Sequence, residues 1–310
     1  MQAINDFFAK YMGLIIGFFC RLCGNHFALA IFLFTLFINL VFCPLNIKQQ
    51  KSTAAQARIK YKLEKLKEKY GDDKVKYQEE MSKIYQETGA SPMSGCMLLL
   101  VRLPFFYGIY YAIQQPLLHI LRLGSENILA AAKALGLGTA QRGYELDIMN
   151  NLDKLDGFAD LKTAIQTFDF RLFGIDLTAS PKFSWNFGEA FQDGAWLLWL
   201  IPLLSFATSM LSGVVSAKLQ KINNPEAPGM TGLLLLMPLF SLWIAFNVPC
   251  AVGFYWACSN FVSMLMQIAM QLLYSPARVI ARTEAKETLQ RREAEQLKIR
   301  AVDGESSASL

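Results

Sequence analysis

Side chains able to do chemistry are few in this sequence. The 310 residues hold two histidines and six cysteines. His26 and His119 lie far apart and neither stands in an H-E-x-x-H, so the sequence writes no metalloprotease centre. Cys20 and Cys23 form a single C-x-x-C with no second pair, and small apolar packing explains the cysteines better than metal or redox chemistry. "MSGC" and "LSGV" set serine beside glycine without a G-x-S-x-G context. No G-x-x-x-x-G-K-[ST] occurs, and no Asp or Glu falls inside the long apolar runs, so nucleotide hydrolysis by a P-loop and an intramembrane carboxylate relay are both excluded. The sequence therefore predicts no enzyme, no metal and no cofactor.

One residue breaks the apolar pattern. Arg102 sits in "LLLVRLPFF", and no carboxylate lies in any apolar run to pair with it. A cation at the centre of a membrane helix costs at least about 2.5–3.5 kcal/mol on insertion scales, so it normally faces water or a partner. Counted from Pro92, Arg102 lies roughly 15 Å along a helix, and Asn39 lies roughly 13.5 Å from Lys48. The two share one depth, out of reach of an arginine that merely snorkels across roughly 6–7 Å. A water-filled pocket open to the cytoplasm would solvate both. Polar stripes run beside them: Thr35, Asn39 and Asn46 in the first run, Ser205, Thr208, Ser209, Ser212 and Ser216 in the third, and Asn260, Ser263, Gln267 and Gln271 in the fifth. Such residues also join helix to helix in membranes. That reading suits the serine stripe, while for Asn39, Asn260 and Gln267 it is evenly matched with the pocket.

The elements that would position these residues follow from hydropathy. Hydrophobic residues make up 53% of the chain, which is high for a soluble domain of this length. Apolar runs at 27–45, 195–217, 230–246 and 250–273 have the length of a membrane helix, and 93–113 joins them if Arg102 is tolerated. The fold class expected is an all-α polytopic membrane protein of five transmembrane helices, assigned to 26–47, 93–121, 195–221, 230–247 and 250–274. Residues 48–91 carry eleven Lys/Arg against seven Asp/Glu, whereas 122–193 carry seven against ten. By the positive-inside rule the first loop is cytoplasmic and the second external, with the N-terminus outside and the C-terminus inside.

Residues 1–25 read as an interfacial helix, since no cleavage site follows "YMGLIIGFFC". Within 48–92, Ile59, Leu63, Leu66 and Tyr70, then Tyr77, Met81 and Ile84, repeat a four-three spacing about the break "GDD". Two helices with facing seams make an antiparallel cytoplasmic hairpin. In the external region, 122–194, "FGIDLTASP" is a short ordered element, and Trp196 and Trp199 are interfacial anchors of the third run. Residues 222–229, with "NNPEAPG", form a tight cytoplasmic loop, and 275–310 a charged helical tail ending in disorder.

Several strings in order carry a resemblance: "CPLNIKQQKS", "YQETGASPMSGCMLLLVRLPFFYGIYYAI", "FGIDLT" and "MPLFSLWIAFNVPCAVGFYWACSNFVSMLMQ". Together they resemble the YidC/Oxa/Alb family of membrane-protein insertases over nearly the whole chain, in the short, Gram-positive-like form. The resemblance implies a bacterial plasma-membrane protein whose five helices enclose a hydrophilic groove open to the cytoplasm and to lipid. It implies a chaperone and insertase that moves short polar segments of nascent membrane proteins across the bilayer without nucleotide hydrolysis. Partners implied by family alone are the Sec translocon, the ribosome and signal-recognition machinery. The tail, with seven basic and six acidic residues at 276–310, marks no nucleic-acid site of its own. The family's groove arginine lies five residues before the proline of "PL", which is Asn39 here, while Arg102 stands where the family usually has glutamine. The expectation is that the charge has moved from the first helix to the second at constant depth. Tyr255 and Trp256 match an aromatic pair implicated in substrate contact. The groove set is then Arg102, Asn39, Thr35, Tyr255, Trp256, Asn260 and Gln267. The alternative function is a small-anion channel or transporter using the Arg102 pocket; the sequence shows no inverted repeats to favour it.

Overall fold

The computed structural model describes residues 2–70, 73–88, 94–139, 143–181, 194–223 and 231–308. Several expectations fall elsewhere. The glycine and first aspartate of "GDD", the Ser91–Pro92 entry to the second run, most of "WNFGEAFQDG" and the loop from residue 224 on lie outside the described residues.

The described chain is mostly helical: α1 (Gln2–Leu22), α2 (Phe27–Val41), α3 (Cys43–Tyr70), α4 (Lys74–Thr88), α5 (Ser94–Gln114), α6 (Pro116–His119), α7 (Ser125–Ala134), α8 (Tyr144–Asn150), α9 (Ala159–Gln166), a ribbon of β1 (Arg171–Leu172) and β2 (Ile175–Asp176), then α10 (Trp196–Asn223), α11 (Thr231–Ala245), α12 (Cys250–Leu273) and α13 (Pro276–Ala308). Two helices, Trp196–Ile222 and the one starting at Cys250, are long and apolar enough to cross a membrane. Phe27–Val41 with Cys43–Ser52 makes a third if the pair, bent by 47°, is one span.

Prolines explain where helices depart from the apolar runs. The single helix expected over 26–47 breaks at Phe42 into α2 and α3. Pro44 has no N–H and its ring crowds the carbonyl four residues back, so the ladder fails just ahead of it. The helix expected over 93–121 ends at Gln114, because Gln115 precedes Pro116 and is pushed out of the helical region to φ −126°, ψ 63°. The tail departs in the opposite sense. α13 continues to Ala308, through most of the segment expected to be disordered.

The chain divides into two compact units. One comprises Met1–Cys43, Cys96–Lys221 and Glu226–Gln267; the other comprises Pro44–Gly95, Ile222–Pro225 and Ile268–Leu310. In the first, α1 lays Ala9, Met12, Ile16 and Cys20 into the core beside Phe27, Ile31 and Phe34 of α2, with Ile109 and Ile113 of α5 and Leu117 of α6 also buried. Glycine makes the approach of α1 possible: a Cβ on Gly13 would stand 2.6 Å from the His119 carbonyl oxygen. The opposite stripe of α1, Phe7, Tyr11, Leu14, Phe18 and Leu22, is exposed at spacings of four, three, four and four.

Residues 169–179 tie two apolar helices together at their starts. The Phe27 N–H donates to the Asp169 carbonyl (2.9 Å) and the Asp169 N–H to the Asn25 carbonyl (2.9 Å), while His26 Nδ1 lies 3.1 Å from Asp169 Oδ2. After the turn at Phe173 and Gly174, where φ is 48° and 85°, the chain returns as β2, pairing Arg171 with Asp176 and Leu172 with Ile175. The carbonyls of Leu177 and Ala179 then accept the N–H groups of Ala251 (2.8 Å) and Cys250 (2.9 Å), donors that a helix start otherwise leaves unsatisfied. At the same end, Cys250 Sγ lies 3.8 Å from the Leu198 carbonyl of α10, and the Trp199 and Phe246 rings meet edge to face at 6.2 Å.

In the second unit, Ile59 is buried and Leu63, Leu66, Tyr70, Tyr77, Met81 and Ile84 are partly buried, whereas Glu64, Lys65, Lys67, Glu68 and Lys69 are exposed. Gln50 Nε2 donates to Gln271 Oε1 at 3.4 Å. A cavity of about 860 Å³ is lined by Ala54 and Ile59 of α3, Glu87 of α4 and Val279 and Ile280 of α13.

One buried acid stands outside the apolar helices. Glu145, fully buried at the start of α8, accepts the N–H groups of Leu117 (2.8 Å) and Leu118 (3.1 Å) on Oε2, serving the open N-terminus of α6 from 28 residues away. Its Oε1 is buried with no hydrogen-bond partner among the described residues. Burial pushes the carboxyl up to about 7, against the pull of its two backbone donors. A folded-state pKa above the unfolded value means that stability is greatest while the acid is protonated and falls as pH rises through about 7. Glu145→Gln keeps the acceptor and removes the titration. Its thermal stability relative to wild type is expected to grow between pH 5 and 8, by roughly 3 kcal/mol at most; a pH-independent difference would contradict the buried charge.

Candidate functional site: a polar row along α12

The site is built on α12, whose Tyr255, Ser259, Ser263 and Gln267 recur every four residues and so share a face over about 18 Å of helix. Each meets a different neighbour. Tyr255, 8% exposed, hydrogen-bonds Ser259 and lies close enough to Arg102 of α5 for the two to interact electrostatically. Ser263 Oγ donates to Asn39 Oδ1 of α2 at 3.3 Å. Gln267 Oε1 accepts from Ser216 Oγ of α10 at 2.7 Å. One face of one helix thus bonds polar groups of α2 and α10 and lies within electrostatic reach of Arg102 on α5.

Asn39 and Thr35 are 7% and 1% exposed and stand one turn apart on α2. Asn39 Nδ2 donates to the Thr35 carbonyl (2.9 Å), and Thr35 Oγ1 to the Ile31 carbonyl (2.7 Å). Both therefore return hydrogen bonds to their own helix, and Asn39 keeps its oxygen for Ser263. In apolar surroundings such satisfaction is obligatory, since an unpaired buried amide costs on the order of 1–3 kcal/mol.

Arg102 is half-buried, and its guanidinium lies 5.3 Å above the Phe42 ring centroid, a cation–π placement. Phe42 is the residue at which α2 gives way to α3, and Phe105 meets it edge to face at 5.1 Å. Trp256, also half-buried, stacks on Phe106 at 6.0 Å with planes 13° apart. So α5 sets Arg102 within electrostatic reach of Tyr255 and stacks Phe106 on Trp256.

Of the expected set, Arg102 lies within electrostatic reach of Tyr255, and Asn39 meets α12 through Ser263. Asn260 is half-buried and one position off the row. Gln271, four residues beyond Gln267, bonds Gln50 in the second unit instead. The cation lies over Phe42, three residues past Asn39. Sequence reasoning passed over Phe42 and Ser259. Phe42 could have been noticed as an aromatic beside a helix-breaking "CPL", whereas Ser259 carried no signal beyond its four-residue spacing.

These features define a helical membrane protein with a polar seam between its apolar helices. The model of the 60Kd inner membrane protein family matches residues 18–276, and the chain belongs to that family, the YidC/Oxa1 group. It is 27% identical over 84% of its length to the membrane protein insertase YidC of Rhizobium meliloti (strain 1021), and spans about a third, 36%, of that relative. Against the membrane protein insertase YidC of Clostridium perfringens (strain 13 / Type A) it is 24% identical, with 93% of this chain and 98% of the relative covered. Membrane protein insertase YidC 2 of Bacillus anthracis is 36% identical over 36% of this chain.

A double-mutant cycle tests whether the seam binds helix to helix. Ser216→Ala and Gln267→Leu are expected to couple by about 0.6 kcal/mol, and by no more than about 1.7, the range of interhelical hydrogen bonds in a membrane. Additive effects on unfolding would mean that the two side chains do not share a bond.

Proposed function

We propose that this protein is a membrane protein insertase and chaperone of the bacterial plasma membrane. Its fifth apolar helix carries a polar row past which short hydrophilic segments of nascent membrane proteins move, and clients' apolar helices leave into lipid. The observation that carries the reading is the half-buried Arg102, a cation held among apolar helices over the Phe42 ring and within electrostatic reach of Tyr255. A charge so placed favours hydrated surroundings over contact with lipid tails. Family membership and the names of the relatives support the same reading.

Five membrane helices, α2, α5, α10, α11 and α12, are part of the proposal, with a hydrophilic groove among them. The starts of α2, α10 and α12 and the end of α11 share one end of the first unit, which is what alternate crossing requires. With Lys/Arg concentrated at 48–91, that end is external, the N-terminus is outside and the C-terminus is cytoplasmic. Arg102, Trp256, Asn260 and Gln267 form the walls of the groove, with the buried Thr35 and Asn39 behind them. The hairpin of α3 and α4 is the cytoplasmic element that meets clients. The Sec translocon, ribosome and signal-recognition machinery are the partners expected at that face.

Inserting about twenty apolar residues is strongly downhill, and moving a polar tail through hydrocarbon is the barrier. A hydrated cationic groove lowers that barrier without ATP, most for acidic or neutral tails. Reconstitution into liposomes with a single-span client, scored by protease protection of its tail, tests this. Arg102→Ala is expected to reduce protection several-fold and Asn39→Ala less; equal and negligible effects would reject Arg102 as the groove cation. Lengthening the tail and adding lysines should slow insertion, and unchanged rates would remove the groove from the transfer route.

A further inference from the structure

Away from the polar row, a cavity of about 380 Å³ opens between α1 and the end of α6 with the residues that follow it. Lys10 and Arg122 contribute cations to it, Asp6 one carboxylate, and Leu14, Leu118 and Leu123 an apolar wall. His119, 9% exposed, closes one side. Lys10 and Arg122 are exposed, and neither forms an ion pair among the described residues. Arg122 stands at φ 60°, the left-handed region that a side-chained residue other than Asn or Asp rarely adopts. Its guanidinium is thus carried by a backbone conformation that glycine or asparagine would hold more easily. Strained positions of this kind cluster at ligand clamps.

The apolar side of the cavity continues onto a larger surface. Leu14 belongs to the exposed stripe of α1, with Phe7, Tyr11, Phe18 and Leu22 on the same face and between 44% and 65% exposed. A helix with such a stripe and a few charges at its border lies in the plane of the headgroups with its apolar face among acyl chains. The volume lies within the roughly 300–1,000 Å³ of small-ligand sites. Two cations and one carboxylate leave one net positive charge, which matches a phosphodiester with one negative charge.

We propose that Lys10 and Arg122 bind the phosphodiester of a membrane phospholipid, whose acyl chains lie along the exposed stripe of α1. The lipid is then a bound ligand of the N-terminal helix and not only its solvent. The same cations would accept free inorganic phosphate, so the two sources are separated by the apolar contact, which only the lipid makes.

Thermal unfolding of the purified full chain in nonionic detergent, titrated with dioleoylphosphatidylglycerol, dioleoylglycerol or inorganic phosphate, tests the site. The phosphatidylglycerol is expected to raise the melting temperature of wild type, with Lys10→Gln and Arg122→Asn each shifting the half-saturating lipid concentration at least tenfold upward. Dioleoylglycerol should give no such shift, and inorganic phosphate should need at least a hundredfold higher concentration. Without lipid, Arg122→Asn should melt no lower than wild type, because asparagine accepts φ 60°. Superimposable lipid curves for wild type and both variants would overturn the proposal. So would an equal response to dioleoylglycerol, which means that phosphate is not read. Saturation by inorganic phosphate at the lipid's concentration would make this a free-anion site and overturn the lipid assignment. A lower melting temperature for Arg122→Asn with unchanged lipid response would assign Arg122 to packing alone.

Discussion

Hydrocarbon offers no hydrogen bonds, so a polar side chain on a membrane helix must find its partner in the protein or in water that the protein admits. The seam on α12 is organised by that constraint. Ser263 and Gln267 are each answered by a polar group from another helix, and Tyr255 by Ser259 on its own. Apolar surfaces alone would not select these neighbours, because lipid tails solvate leucine as well as another helix does. The few polar bonds therefore choose which helices lie together, and the glycine contacts of α1 and the aromatic contacts of α5 fill in around that choice.

Arg102 answers the same constraint differently. Its guanidinium rests on an aromatic face, and it lies within electrostatic reach of Tyr255. A weakly hydrated, planar cation tolerates such surroundings better than a lysine ammonium would. Asn39, at the position where the resemblance leads one to expect the charge, has become a short tether between two helices. Its neutral amide bonds backwards to Thr35 and sideways to Ser263.

Long apolar runs mark α2, α10 and α12, and a four-three spacing sets Ile59, Leu63 and Leu66 along α3. Helix ends were less legible. Phe42 and Gln115 mark breaks imposed by Pro44 and Pro116, and a run of hydropathy passes smoothly over both. The row of Ser263 and Gln267 could be read from spacing, but their partners could not, since spacing gives a face and not what the face meets. Glu145 was invisible for the same reason: nothing near it in sequence announces that it serves a helix start 28 residues earlier. The tail shows the opposite error. Its composition suggested fraying, whereas α13 continues through "GESSA".

The strap formed by residues 169–179 constrains how α2 and α12 can part. Four backbone hydrogen bonds hold their first turns, two at Phe27 and Asp169 and two at Cys250 and Ala251. Further along, about 18–20 Å from those turns, Ser263 meets Asn39 at 3.3 Å. Two rods lashed at one end separate as a wedge, with an aperture that widens with distance from the lashing. The Ser263–Asn39 bond then behaves as a latch on the open side of that wedge, weak enough, at about 0.6 kcal/mol, to be undone by thermal motion.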